Sequence, residues 1–130
     1  MNAYEFIKDI YPFYLLTISN GQPQGRPFGA IYFENGSYFV ATGNGGNVYN
    51  QINACPSVQI VALKHGTRNW IRISGKASLC NNLDIKQNML SACPVLTKHY
   101  KSATDEKFAM FEIKPCSIDY HGENGLEQLL

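Results

Sequence analysis

The chain has 130 residues, 45% of them hydrophobic, 12% aromatic and only 16% charged, with a formal net charge of +1. That length suits one domain over residues 1–130, and the near-neutral balance removes the electrostatic basis for a nucleic-acid or anionic-membrane partner. No stretch approaches the roughly 20 apolar residues of a membrane span, and "MNAYEFIKDIYPF" carries acids where a signal peptide carries basic residues, so a cytoplasmic protein is expected.

In chain order, Tyr4 to Ile10 reads as a short amphipathic helix, and "PFYLLTIS" as a first strand ending at the turn residues Asn20 and Gly21. "GRPFGAIYF" then reads as a second strand, Gly25 to Phe33, although Pro27 cannot donate to a ladder and Gly29 weakens a strand interior. An edge, a bulge or the close approach of a ligand would explain the pair. Asn35-Gly36 is a two-residue hairpin signal, and "SYFVAT" returns as a third strand. In "GNGGNVYNQINACP" a glycine loop leads into a short helix, with Val48 and Ile52 at helical spacing and Pro56 as its stop.

"SVQIVALK" is the fourth strand and "NWIRISGKASL" the fifth, with Ile71, Ile73, Gly75, Ala77 and Leu79 facing one way and Trp70, Arg72, Ser74 and Lys76 the other. "LDIKQNMLSACP" predicts a helix capped by Asn81 or Asn82, ended by Pro94, with Lys86 on its surface. "PVLTKHY" continues as a second short helix, and "KFAMFEIK" is the sixth strand. The tail after Pro115 begins strand-like, then loses its pattern, and is expected to have low order. Six short strands without a βαβ unit predict a mainly β fold, a six-stranded antiparallel barrel with accessory helices.

Cys55, Cys80, Cys93 and Cys116 form no C-x-x-C pair and have no histidine at zinc-ligand spacing, so buried free thiols and no metal site are expected. Low charge together with eight tyrosines and seven phenylalanines leaves apolar surface that a homodimer would cover.

Three places can carry chemistry. Alternation sets Arg26, Phe28, Ala30 and Tyr32 on one face of the second strand, where Pro27 and Gly29 would let a flat ligand reach main-chain groups beside a cation. A bulged edge strand with a surface arginine accounts for the same residues. The loop from Gly43 to Asn47 can form an anion-binding nest at a helix start, or can be a plain turn. Trp70 beside Arg72 would suit a partner surface or a cofactor, with Arg72 pairing to a phosphate or carboxylate, and cross-strand packing explains them equally well. His65, His99 and His121 read as surface residues, and no side chain stands out as acid, base or nucleophile.

The order "FYLLTISNGQPQGRPFGAIYFENGSYFVATGN", "VYNQINACPSVQI" and "WIRISGKA" resembles the pyridoxamine 5'-phosphate oxidase-like, FMN-binding split-barrel family over Phe13 to Phe111. That resemblance implies a homodimer with two FMN molecules at its interface. It carries over Arg26 to the FMN phosphate, and Pro27, Phe28 and Gly29 to backbone presented at the flavin ring. It assigns Thr42 to the phosphate end, Gly43 to Val48, Asn47 included, to a wrap around the phosphate, and Gln51 to a common family position. Trp70 would approach the flavin from the neighbouring subunit, and Arg72 or Arg68 would assist at the phosphate.

The departures from the family are specific. Relatives place basic residues where this chain has Asn44, Gly46, Asn47 and Asn50, and each lost charge-assisted hydrogen bond costs roughly 1.5 to 3 kcal/mol. Weak FMN binding, or another ligand, is therefore expected. Because no basic segment follows the last strand, the resemblance implies an activity other than pyridoxamine phosphate oxidation. The expectation is an FMN-dependent oxidoreductase taking hydride from NAD(P)H or a reduced substrate. The alternatives are a non-catalytic flavin- or haem-binding protein for sensing, storage or stress protection, and a vestigial dimer with an empty pocket.

Overall fold

Phe13, Leu15 and Thr17 are buried while Tyr14 and Ile18 beside them are exposed, and the same period of two recurs at Val58, Ile60 and Ala62 and at Ile71, Ile73 and Ala77. Each strand thus buries one face and must curl around what it covers. A computed structural model of the protein describes residues 2–122 and 125–128. Its elements are α1 (Ala3–Ile7), β1 (Phe13–Ser19), β2 (Gln22–Phe28), β3 (Tyr32–Glu34), β4 (Ser37–Gly43), α2 (Asn47–Ala54), β5 (Ser57–Leu63), β6 (Trp70–Leu79), α3 (Leu83–Ala92), a 3₁₀ turn (Pro94–Lys98), β7 (Phe108–Gly122) and β8 (Gly125–Gln128).

All pairings are antiparallel, in the order β2-β1-β5-β6-β7-β4-β3, with β8 added to β7. β2 and β3 stand at opposite ends of this order, yet only residues 29–31 separate them in sequence. Four Cα steps reach at most about 14 Å, so the sheet rolls until its two edges nearly meet. One core fills the inside, joining Phe13 and Leu15 of β1 to Tyr38 and Val40 of β4 across three intervening strands. A second lies outside β4 and β7, where Phe39, Phe108 and Met110 pack on Met89 and Leu90 of α3 and Leu96 of the 3₁₀ turn.

Among the described residues the expected six strands become eight, because the second divides into β2 and β3 and β8 is added after the sixth. The second breaks at Gly29, because the chain must cross there from one sheet edge to the other. β2 itself is an edge with β1 as its one neighbour, so Pro27, opposite Tyr14, leaves no second ladder broken. The last strand runs on to Gly122, correcting the expected disorder after Pro115. The register shifts there, with Gly75 opposite Pro115 and Ser74 opposite Ser117, and this bulge takes up the missing proline N–H. A Cβ on Gly75 would overlap the Lys114 carbonyl oxygen, so the bulge also demands that glycine. Residues 123–124 and 129–130 of that tail lie outside the described residues.

The helices fall where their caps predict. Asn82 accepts the Ile85 N–H at 3.1 Å to open α3, and α2 spans the expected segment. The four cysteines are free, but only Cys93 is buried, its thiol donating to the Ile31 carbonyl at 3.3 Å. Among the described residues no helix is long and apolar enough to cross a membrane.

Candidate functional site

Arg26 lies opposite Leu15 in the β1–β2 register and shares its inward face. Thr17, two residues along and 1% exposed, is a hydroxyl in an apolar slot and needs partners there. It has them: its Oγ1 donates to Gln51 Oε1 of α2 at 2.6 Å and accepts from Arg26 Nη1 at 2.8 Å. The same Nη1 also donates to the Leu15 carbonyl at 3.3 Å, and Nη2 donates to Gln51 Oε1 at 2.8 Å. Arg26 therefore ties β1, β2 and α2 together, which removes the reading of a solvated surface arginine. Burial lowers its pKa, yet a guanidinium stays charged. Three bonds use three of its five N–H donors and leave two for a ligand.

Beyond Arg26, the end of β2 meets the end of β4. Pro27, Phe28, Gly29 and Ala30 face Ala41, Thr42 and Gly43 across a cleft of about 370 Å³ closed by Tyr11, Val95, Leu96, His99 and Tyr100. A Cβ built on Gly29 would lie 2.5 Å from Cε2 of Tyr11, so the glycine is required by an aromatic ring of the chain itself. Asn47 and Gln51 line a different hollow, of about 680 Å³, between α2 and the β1–β2 turn. Gln51 thus borders both that hollow and the Arg26 network.

The glycine loop is less open than a bare nest. The Asn44 N–H goes to the Lys107 carbonyl at 2.9 Å and the Gly46 N–H to the Gly43 carbonyl at 3.2 Å. Gly46 caps α2 without a side-chain bond, which leaves the first-turn amides of Asn47 and Val48 without intrahelical acceptors.

Trp70 and Arg72 sit elsewhere. Pro27, Tyr14, Val61, Arg72 and Asp119 form one row across the sheet, on the face opposite Arg26, Leu15, Ile60 and Ile73. Arg72 donates to Asp119 Oδ2 from Nη2 at 3.1 Å and from Nε at 3.3 Å, and its guanidinium lies 5.4 Å from the Trp70 ring centroid. His121 stacks on the other strand's partner, Trp70, at 5.7 Å and 18°. Within one chain, cross-strand packing occupies both residues, and neither reaches the cleft. Arg68 is exposed in the turn before β6.

Sequence reasoning missed Thr17, Tyr11, His99 and Tyr100. Thr17 was detectable, because it falls in phase with Phe13 and Leu15. The other three reach the cleft through irregular segments that no periodicity marks. His99 is exposed, as expected of a surface residue, and also lines the cleft. One expectation is corrected here. Lys86 is not on the surface: it shares the inner face of α3 with Met89 and Leu90, is 8% exposed, donates to the Phe108 carbonyl at 3.0 Å, and lies 5.0 Å from the Phe108 ring centroid.

A family model described as pyridoxamine 5'-phosphate oxidase matches residues 2–122. The chain belongs to this family. A NimC/NimA family protein from Clostridium acetobutylicum is a similar solved structure, with 29% identity, a TM-score of 0.88, and coverage of 98% of this chain and 88% of that one. General Stress Protein 26 from Bacillus anthracis has the same fold at 19% identity and a TM-score of 0.79, covering 96% and 94%. A structure named F420 reductase does so at 12% identity and 0.68, covering 91% and 96%. No curated protein sequence matches.

Set in that family, the cleft offers flat apolar walls, main-chain groups around Gly29 and Gly43, one hydroxyl on Thr42 and one imidazole on His99. It contains no carboxylate or nucleophilic thiol among its lining residues, which suits holding a planar group better than acid–base or covalent catalysis by the protein.

Proposed function

We propose that the chain is a cytoplasmic FMN-binding flavoprotein that works as a homodimeric, FMN-dependent oxidoreductase. The observation that carries this reading is the cleft in which Pro27, Phe28 and Gly29 meet Thr42 and Gly43, directly past an arginine with two donors left. Family membership supports it, and so does the likeness to a structure named F420 reductase.

In this reading the ring lies against Pro27, Phe28 and Gly29, with Thr42 and Gly43 beside it. The phosphate turns toward Arg26, Gln51 and the first-turn amides of Asn47 and Val48, where the positive end of α2 favours an anion. Bound FMN supplies the hydride chemistry, with NAD(P)H as the donor. The chain's own part is to bind and orient. Thr17 and Gln51 hold the guanidinium in one place before any ligand arrives, so little ordering is left to be done on binding.

The positions of the remaining candidates support the homodimer in this reading. Trp70 and Arg72 are on the opposite sheet face from Arg26, so they can approach a cofactor only if it belongs to a second copy. That face also exposes Tyr14 at 47%, Ile18 at 37% and Leu63 at 50%, an apolar area that a twofold contact would cover.

A second reading, a flavin- or haem-binding protein without turnover, is favoured by one observation. The glycine loop has no basic side chain, and the nearby buried cation, Lys86, is spent on the Phe108 carbonyl. The visible spectrum of purified protein, followed by anaerobic addition of NADPH, tests both. Flavin bands that bleach support the oxidoreductase. Bands that do not bleach, or a haem spectrum, favour the second reading, and failure to take up added FMN or haem overturns both.

A further inference from the structure

We propose that a second cavity, of about 480 Å³ between the end of β6, the start of α3 and the start of β7, binds a free aliphatic α-amino acid. None of its lining residues lines the cleft or the hollow beside Gln51, so this ligand and a flavin occupy different surfaces.

Both charges of an amino acid meet a fixed counterpart there. Lys86, 8% exposed, donates from Nζ to the Phe108 carbonyl at 3.0 Å. That bond is made by one of the three ammonium N–H groups; it steadies the head and leaves two donors for a carboxylate. On the anionic side, the Lys101 and Lys107 amides donate to the two oxygens of Asp105 at 2.8 and 2.9 Å. The same two bonds hold the Asp105 carboxyl below its usual range, so it is an anion at neutral pH. Glu106 stands exposed beside it. Among the described residues the one ion pair is Arg72 with Asp119, so Lys86 lines a cavity with two carboxylates and pairs with neither.

This arrangement selects against a single charge. A plain carboxylate suits Lys86 but is repelled by Asp105 and Glu106, and a plain amine is repelled by Lys86. A zwitterion satisfies both sides. The uncharged part of the wall sets the rest of the ligand: Leu79 and Leu83 are 39% and 52% exposed at the cavity, with Ala103 and Phe108 buried behind them. An aliphatic side chain would cover the two leucines. The wall is also held in place before any ligand arrives, because the Asn44 side chain donates to the Glu106 carbonyl at 3.0 Å and the Asn44 N–H to the Lys107 carbonyl at 2.9 Å.

An amide NMR titration of the labelled protein with L-leucine tests this, beside isoamylamine, which lacks the carboxylate, and isocaproate, which lacks the ammonium. Saturable shifts of the Lys101 and Lys107 amides by leucine are expected, with each truncated probe bound at least about tenfold more weakly. Exposed Glu106→Lys should weaken leucine about tenfold without weakening isocaproate. Lys86→Met, checked for folding by its urea melt, should weaken leucine and isocaproate but not isoamylamine; if it does not fold, the probes and Glu106→Lys still decide. No shift at these amides with leucine at about 10 mM overturns the proposal. So does a truncated probe that binds as tightly as leucine, or an unchanged leucine affinity in Glu106→Lys.

Discussion

The ring of Tyr11 lies over Gly29, so close that a Cβ there would sit 2.5 Å from Cε2, although Tyr11 is itself 72% exposed. A glycine that could mark a ligand's approach is thus already approached by a side chain of the same chain. Gly29→Ala should cost about 1 kcal/mol, at the low end for overpacking because an exposed ring can swing away. In a Tyr11→Ala background the same substitution should cost almost nothing. Urea midpoints for the four proteins decide it, and additive effects would mean that the ring is not what excludes a side chain.

Arg26→Ala should act twice. It removes a partner from buried Thr17 and from Gln51, which should cost about 1 to 3 kcal/mol in a denaturant melt. It should also weaken FMN by at least about tenfold in a fluorescence-quenching titration, against no change for exposed Lys114→Ala. Equal effects of the two substitutions on FMN would refute the phosphate placement.

Lys86→Met keeps the length of the side chain but leaves the Phe108 carbonyl without its donor. A loss of about 1 to 3 kcal/mol is expected, since a buried unpaired acceptor costs its desolvation. A neutral result in a urea melt would show that the ammonium is not needed there.

Alkali should unfold the protein through its tyrosines. Burial, then the hydrogen bond donated to Glu34, pushes the Tyr32 phenol up to about 12, and burial also raises Tyr4, Tyr38 and Tyr100. Unfolded phenols titrate near 10, so from about pH 10 to 12 the folded state binds more protons than the unfolded one, and stability falls as pH rises. Below about 10 these groups add no slope. Melting temperatures across that window should drop less steeply for Tyr32→Phe, and an identical slope would contradict the shift.

Leu16→Glu adds a charge to the outer face between Tyr14 and Ile18 without touching the inner core. If that face is the twofold contact, light scattering should show dimer for wild type and monomer for the variant. A dimer in both would move the interface elsewhere.

The sequence by itself determined the local structure. Period-2 alternation marked β1, β5 and β6, the Asn35-Gly36 pair marked a hairpin, and Asn82 and Pro94 bounded α3 closely, because each depends on neighbours a few residues away. It also marked Arg26, Pro27 and Gly29 as residues to watch, and the family resemblance added Thr42. Only the tertiary structure decided what they touch. Arg26 meets Gln51 because the sheet rolls and α2 packs across it, and His99 and Tyr11 join the cleft from irregular segments far apart in the chain. Lys86 is inside because α3 turns that face to Phe108. Which face of a strand or helix is covered, and by what, depends on contacts across many intervening residues, and local pattern holds no record of those.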